Sequence, residues 1–243
     1  MNKKKIAVAG AASVAAVAAV AAGAFAFFSD TAEGTTTGTA GQVDVEISND
    51  MELSNSDNIN PGDNDPDKPE DSRPGTPHDL TFAIANSGNK SIMTRNIITL
   101  SVKDAAGAVD MDPSVYKLLS DAAGTELVAK YYSADGVNFT AEKPEGCKYV
   151  RYITTQVALD GKVGSTGQET EDGITEGAVG NGATVGTGKD NVSYAYTLMM
   201  GLGTTDEYEL SKLKIDLEVQ AMQYRNTNDA AWDTIFTDTI VAE

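Results

Sequence analysis

The chain has 243 residues and a formal charge of −18, from 18 basic and 36 acidic residues. Nucleic acids and anionic membrane surfaces attract clusters of Lys and Arg, so this balance excludes binding to either one as the main function. The single cysteine, Cys147, excludes an internal disulfide, and the single histidine, His78, restricts the metal and catalytic sites that the chain can build.

The first 26 residues have the three-part layout of a secretory leader. A short basic head precedes an uncharged run rich in Ala and Val, and small residues then occupy Ala24 and Ala26, the positions that a signal peptidase reads. We therefore predict cleavage between Ala26 and Phe27. The alternative is a retained transmembrane helix over 6–28, but Ala is weakly apolar and no basic stop-transfer cluster follows.

Cleavage at this point leaves a mature chain with 15 basic and 36 acidic residues, a formal charge of about −21. We expect a secreted protein, found in the extracellular matrix or at the cell surface, that contacts the membrane only through the uncleaved leader. Self-repulsion at this charge also suggests that acid or cations promote association between copies.

Residues 27–42 are a low-complexity segment that is rich in Gly, Thr and Ala. Its first residues are Phe27, Phe28, Ser29 and Asp30. The segment has too few large apolar residues to fold by itself, but Thr-rich sequence readily adopts an extended backbone. Apolar and acidic residues then alternate, which predicts the first half-buried strand at Val43, Val45 and Ile47. We interpret 27–42 as an extended N-terminal segment and 43–243 as one folded domain.

Two stretches of this domain, 49–77 and 160–191, are predicted to be flexible surface loops. The first is polar and contains the turn dipeptide Pro61-Gly62, but it lacks the glycine and glutamate that a calcium loop requires. The second contains nine glycines and no aromatic residue. It is not a phosphate-binding loop, because Lys189 is followed by Asp190 and no strand leads into it.

The rest of the chain predicts short strands, at 79–85, 91–102, 126–132, 137–140, 148–157, 193–202 and 214–223. A short helix is predicted from Pro113 to Ser120, and 235–241 is either a last strand or a short helix. The clearest alternation places Ile215, Leu217, Val219 and Ala221 inward and Lys214, Asp216, Glu218 and Gln220 outward. This pattern favours an all-β fold, an antiparallel jelly-roll-like sandwich with one or two short helices.

The sequence does not predict a catalytic centre. A zinc-binding H-E-x-x-H helix requires two histidines, and a serine hydrolase requires a G-x-S-x-G turn that the chain lacks. A Cys147–His78 pair is formally possible, but Cys147 follows an acidic turn that would not lower the pKa of its thiol. We therefore predict no enzyme activity and name no cofactor or metal.

Several motifs, taken in order along the chain, resemble those of TasA and camelysin, secreted proteins of Gram-positive bacteria with a dedicated signal peptidase. They are the leader ending in Phe-Ser-Asp, the Gly/Thr/Ala stretch, the strand at Val43, the Pro61-Gly62-Asp63 loop, the F-x-I-x-N-x-G turn from Phe82, and the run from Val219 to Trp232. They span 1–102 and 213–233, and the middle of the chain matches no motif of the family.

The resemblance implies a jelly-roll subunit that polymerises head to tail into biofilm-matrix fibres. In that family the freed N-terminal segment adds as a strand to the sheet of the next subunit, so 27–42 would be the donor. The implied partners are other copies of the chain, the signal peptidase and a minor fibre-anchoring homologue. The alternatives are a cell-surface metallopeptidase, an activity ascribed to camelysin relatives, and a minor adhesin or anchoring subunit.

Overall fold

The computed structural model describes residues 29–32, 43–53, 77–120, 127, 129–201, 208, 211–226 and 232. In these residues the chain forms two antiparallel sheets with a shared core, which confirms the predicted all-β, jelly-roll-like sandwich. The predicted leader, its cleavage site, Phe27, Phe28 and the predicted element at 235–241 lie outside the described residues.

The described residues contain thirteen strands. They are β1 (Ser29–Ala32), β2 (Val45–Leu53), β3 (His78–Asn86), β4 (Ile92–Lys103), β5 (Asp110–Met111), β6 (Tyr116–Leu119), β7 (Ala129–Ser133), β8 (Tyr149–Ile153), β9 (Val157–Leu159), β10 (Gly177–Gly180), β11 (Ala183–Val185), β12 (Asn191–Met200) and β13 (Lys212–Gln223). Short 3-10 helices occur at Pro113–Val115 and Tyr224–Asn226.

The first sheet has the strand order β1-β13-β4-β8-β7, and β5 and β9 also pair with β4. The second sheet has the order β10-β11-β12-β3-β2, and β6 also pairs with β12. The longest pairing joins β13 to β4 over the full length of β13, from Lys212 opposite Lys103 to Gln223 opposite Ile92. β1 therefore lies at a margin of the first sheet, and β2 lies at a margin of the second.

The core lies between the sheets and consists of the alternate apolar residues that each strand turns inward. In β3 the buried apolar residues are Leu80, Phe82 and Ile84, and the intervening residues are exposed or half-buried. Phe82 stacks on Tyr194 of β12 with ring centroids 4.8 Å apart. Burying each large apolar side chain contributes about 1.5–3 kcal/mol to the free energy of unfolding, so this burial stabilises the sandwich without a disulfide.

The interpretation of 160–191 as a loop without regular structure is wrong, because β10 and β11 lie within it. Asp160 is 2% exposed, and its carboxylate accepts hydrogen bonds from the Glu171 amide at 2.7 Å and the Ser91 hydroxyl at 3.3 Å. The sequence did not indicate this order, because a glycine-rich composition suggests flexibility. Gly182 instead allows close packing on β12, where a Cβ would lie 2.5 Å from the Ala195 carbonyl oxygen.

The predicted helix from Pro113 to Ser120 is also wrong beyond its first turn. Asp112 caps the 3-10 helix by accepting a hydrogen bond from the Ser114 amide at 2.9 Å, as the Asp-Pro sequence favours. From Tyr116 onward the chain is strand β6, paired with Thr197–Met200 of β12. The apolar spacing within β6 is compatible with either structure, and the open margin of β12 decides between them.

The predicted strand at 137–140 is wrong as well. The Asp135 carboxylate accepts hydrogen bonds from the amides of Val137 at 2.9 Å and Asn138 at 2.8 Å, so these amides close a turn and cannot join a ladder. Only Thr140 forms a bridge, to Tyr132. The apolar residue that suggested a strand, Phe139, is instead buried by tertiary contacts.

The predicted loop at 49–77 begins later than the sequence indicated, because residues 49–53 continue β2. Its remaining residues up to 76 lie outside the described part of the chain. Polar residues at the end of β2 gave no alternation that would mark this extension.

Candidate assembly edge

Strand β1, the described part of the predicted donor segment, is held through its pairing with β13. The pairing is antiparallel. It begins with Ser29 opposite Met222 and ends with Ala32 opposite Val219. β1 is therefore a marginal strand of its own molecule and not an interior one. It covers only four of the twelve residues of β13.

β13 consequently has two parts, which we call the covered part (219–222) and the open part (212–218). Among the described residues, no strand pairs with the open part on the side where β1 lies. All four residues of the covered part are buried, whereas the inward residues of the open part, Leu213, Ile215 and Leu217, are only half-buried. The residues of β13 are therefore more deeply buried where β1 pairs with them than beyond the end of that pairing.

The outward face of the covered part is also occupied, which corrects one sequence prediction. Gln220 was predicted to face solvent, but it is 1% exposed and its Oε1 accepts a hydrogen bond from Arg95 Nε at 2.8 Å. The Arg95 guanidinium lies 4.7 Å from the ring centroid of Trp232, and that ring packs with Met222 and Met93. Trp232 itself is 1% exposed. Period-two alternation identifies the inward face but not a distant residue that covers the other face.

The open part shows a different outward face, composed of charged residues. Lys212, Lys214 and Asp216 are exposed, and Lys214 forms an ion pair with Asp216 at 2.8 Å. Charged side chains along an unpaired margin oppose uncontrolled edge-to-edge association. With respect to the described strands, the backbone of this margin is thus unpaired, and its charged surface discourages nonspecific strand pairing.

The start of β2 is fixed at one end of the sandwich. Val43 and Val45 are buried in the core. The Ser87 amide donates to the Asp44 carbonyl at 2.9 Å, so β2 begins beside the turn that joins β3 to β4. This is the end of the sandwich at which Gln223 pairs with Ile92. β1 begins at this same end, because Ser29 pairs with Met222.

Of the other described margins, β7 is regular but only five residues long, and β10 and β2 are irregular. β10 has glycines at both ends, and its pairing with β11 shifts register between Ala178 and Gly180. The pairing of β2 with β3 shifts register twice. Bulges and short strands interrupt the regular ladder that an incoming strand would extend. The regular, twelve-residue β13 is therefore the most suitable described acceptor for an added strand.

A cleft of about 530 Å³ lies on the outer face of the first sheet, next to the open part of β13. Burial lowers the pKa of Arg151, and the nearby Glu218 carboxylate opposes this shift. Basic and acidic side chains are mixed here, without a paired nucleophile and base among the lining residues. The cleft is lined by Ile97, Thr99, Gly136, Tyr149, Arg151, Lys214, Asp216, Leu217 and Glu218.

The residues considered for catalysis are both buried. His78 is 1% exposed at the start of β3, opposite Leu198 of β12. Cys147 is 5% exposed, and burial, together with the Asp112 carboxylate, raises the pKa of its thiol. A raised pKa disfavours the thiolate that a nucleophile needs. Within the described part of the chain, no three His, Cys, Asp or Glu side chains group as metal ligands, and no helix is long and apolar enough to cross a membrane.

Comparison with known proteins identifies one relationship. Residues 1–110 match the family model described as camelysin metallo-endopeptidase. No curated protein and no solved structure gives a significant match to the chain. The matched residues include the predicted leader, the predicted donor segment and strands β1 to β4, so the resemblance seen in the sequence is confirmed there.

Proposed function

We propose that this protein, whose residues 1–110 belong to the TasA/camelysin family, is an exported structural subunit that polymerises into extracellular matrix fibres. In this proposal, the N-terminal segment of one copy leaves its own β13 and pairs with the β13 of the next copy. The observation that carries the proposal is the position of β1, a four-residue marginal strand paired along only one side.

Strand exchange between copies costs little in local interactions, because the same backbone pairs form with a second copy as with the first. A donor on one side and an acceptor on the other make a head-to-tail contact, and such contacts give open filaments unless the rotation closes a ring. Strand addition at a sheet margin relies on main-chain hydrogen bonds, which a segment poor in core residues can supply.

Leader removal is the proposed switch. The predicted cleavage point after Ala26 lies only two residues before β1 begins at Ser29. An uncleaved leader would hold the donor segment at the membrane, where it could not reach another copy. The signal peptidase is therefore a partner in assembly as well as in export.

The direct test compares mature protein that starts at Phe27 with a variant that lacks 27–41. We expect the mature protein to form filaments that are visible by electron microscopy, and we expect the variant to remain folded by circular dichroism but monomeric. Filaments from the shortened variant would contradict the proposal. So would mature protein that stays monomeric at every concentration and pH.

A peptide that spans 27–42 provides a matched control. Added in excess to growing filaments, it should occupy free β13 margins and stop elongation, because it brings no β13 of its own. A scrambled peptide of the same composition should have no effect. Equal inhibition by both peptides would show that the effect is not strand addition.

The matching family description, camelysin metallo-endopeptidase, makes a peptidase the second candidate. The described residues do not suit a catalytic zinc, because the one histidine is buried in β3 and no ligand group of three assembles among them. Zinc content of the purified protein and casein cleavage with and without a chelator test this activity. Stoichiometric zinc together with chelator-sensitive cleavage would make the peptidase the better assignment.

A further inference from the structure

The pairing register of β1 specifies how the donor segment lies in an assembled fibre. Ser29 pairs with Met222 and Ala32 with Val219, so each later residue of the segment corresponds to an earlier residue of β13. Continued in the same register, Glu33 would face Glu218 and Thr39 would face Lys212. The segment 33–39 thus has the same length as the open part of β13.

The same molecule cannot make this longer pairing. If Thr39 paired with Lys212, only residues 40–42 would remain to reach Val43, and such a stretch spans at most about 14 Å. Val43 lies near the Gln223 end of β13, and that end is about 36 Å from Lys212 along the strand. Within a single molecule the pairing of β1 therefore cannot extend as far as Lys212.

A second copy is free of this constraint, because its Val43 belongs to a different molecule. We propose that, in the fibre, the donor segment of one copy pairs with both parts of the neighbour's β13, so that 29–39 lie opposite 212–222. This inference rests on the proposed function and adds the register and the extent of the donor strand. The occupant of the open part is thus a second copy of this chain.

The burial pattern agrees with such an occupant. Leu213, Ile215 and Leu217 are half-buried in the single molecule, and an added strand would lie beside them as β1 lies beside Val219 and Ala221. The donor supplies Thr and Gly at 34–39, which extend easily and bring no bulky side chain to the margin. The additional main-chain pairing also explains why exchange would be favoured over the closed single molecule.

The short remainder of the segment then restricts the arrangement of subunits. With 40–42 as the only link, the donor's Val43 must lie within about 14 Å of the acceptor's Lys212. The Val43 end of one sandwich therefore abuts the Lys212 end of the next. Subunits stack end to end along their strands.

A disulfide between the predicted neighbours tests the register. In a Cys147→Ala background, Thr37→Cys and Lys214→Cys are combined in one chain, because these positions are opposite each other and Lys214 is exposed. The matched control combines Thr36→Cys with Lys214→Cys, which shifts the cysteine by one residue to the other face. We expect oxidised filaments of the first variant to run as a ladder of covalent oligomers on a non-reducing gel, at least roughly tenfold more abundant than in the control.

The outcomes separate this inference from the proposed function. Filaments that form normally but give no ladder, or give equal ladders in both variants, overturn the register and leave strand donation intact. A covalent monomer, in which the two cysteines join within one chain, overturns the inference as well. Failure of the Cys147→Ala background to form filaments while its donor segment is intact overturns the proposed function.

Discussion

The covered and open parts of β13 differ in almost every property, although they belong to one continuous strand paired to the same neighbour, β4. Residues 219–222 are buried on both faces, by the core on one side and by Trp232 and Arg95 on the other. Residues 212–218 have a half-buried inner face and a charged outer one. Among the described residues, β13 is therefore paired on both sides at one end and on one side only at the other, as the proposed strand donation requires.

The largest expected effect comes from the covered part. Trp232→Ala removes the ring that packs on Met222 and Arg95, and such a loss costs about 3–5 kcal/mol of the free energy of unfolding. Denaturant unfolding, followed by circular dichroism, measures this loss. Trp232→Phe is the control and should retain most of the stability. A loss below about 1 kcal/mol for Trp232→Ala would show that the ring is not a structural contact.

A smaller effect distinguishes the inner faces of the two parts. Val219→Ala truncates a fully buried side chain and should cost about 2 kcal/mol in the monomer, whereas Leu217→Ala should cost only about 1 kcal/mol because its side chain is half-buried. In filaments the order should reverse if a neighbour covers Leu217. Chemical unfolding of monomers and depolymerisation of filaments in urea give the two comparisons. An unchanged order in filaments would argue that the open part stays open.

The smallest effect on stability is expected for the charged margin. Lys214→Glu breaks an exposed ion pair and should change the free energy of unfolding by less than about 0.5 kcal/mol. It should nevertheless slow fibre growth, because the predicted mature chain already carries a formal charge of about −21, and added salt should restore the rate. Lys162→Glu makes the same charge change on an exposed residue outside β13 and is the control. Equal slowing of fibre growth by both variants would show that the charges on this margin have no special role.

The sequence predicted the elements whose cause is local. Period-two alternation identified β3, β4, β12 and the inner face of β13, because alternate residues of a strand point to opposite faces. The Thr-rich composition of 27–42 separately predicted an extended backbone, and its described residues form β1. The TasA/camelysin resemblance was likewise visible in local motifs, and the family match agrees with it.

The features that the sequence did not reveal depend on distant contacts. The burial of Gln220 depends on Arg95 and Trp232, and neither lies near it in the alternation of β13. The order of 160–191 depends on Asp160 and on the β3–β4 turn, which a glycine-rich composition does not indicate. The partner and register of β1 could not be predicted either, because β1 pairs with residues that lie far away in the sequence. Such long-range packing fixes the register.

Hydrogen exchange of the β13 amides, measured on the same protein as monomer and as filament, tests the central claim most directly. The account predicts that amides of 219–222 exchange slowly in both states, because a strand covers them in both. Those amides of 212–218 that point away from β4 should exchange quickly in the monomer and at least roughly tenfold more slowly in the filament. Equally fast exchange of 212–218 in monomer and filament would contradict the extension of the donated strand along the open part of β13.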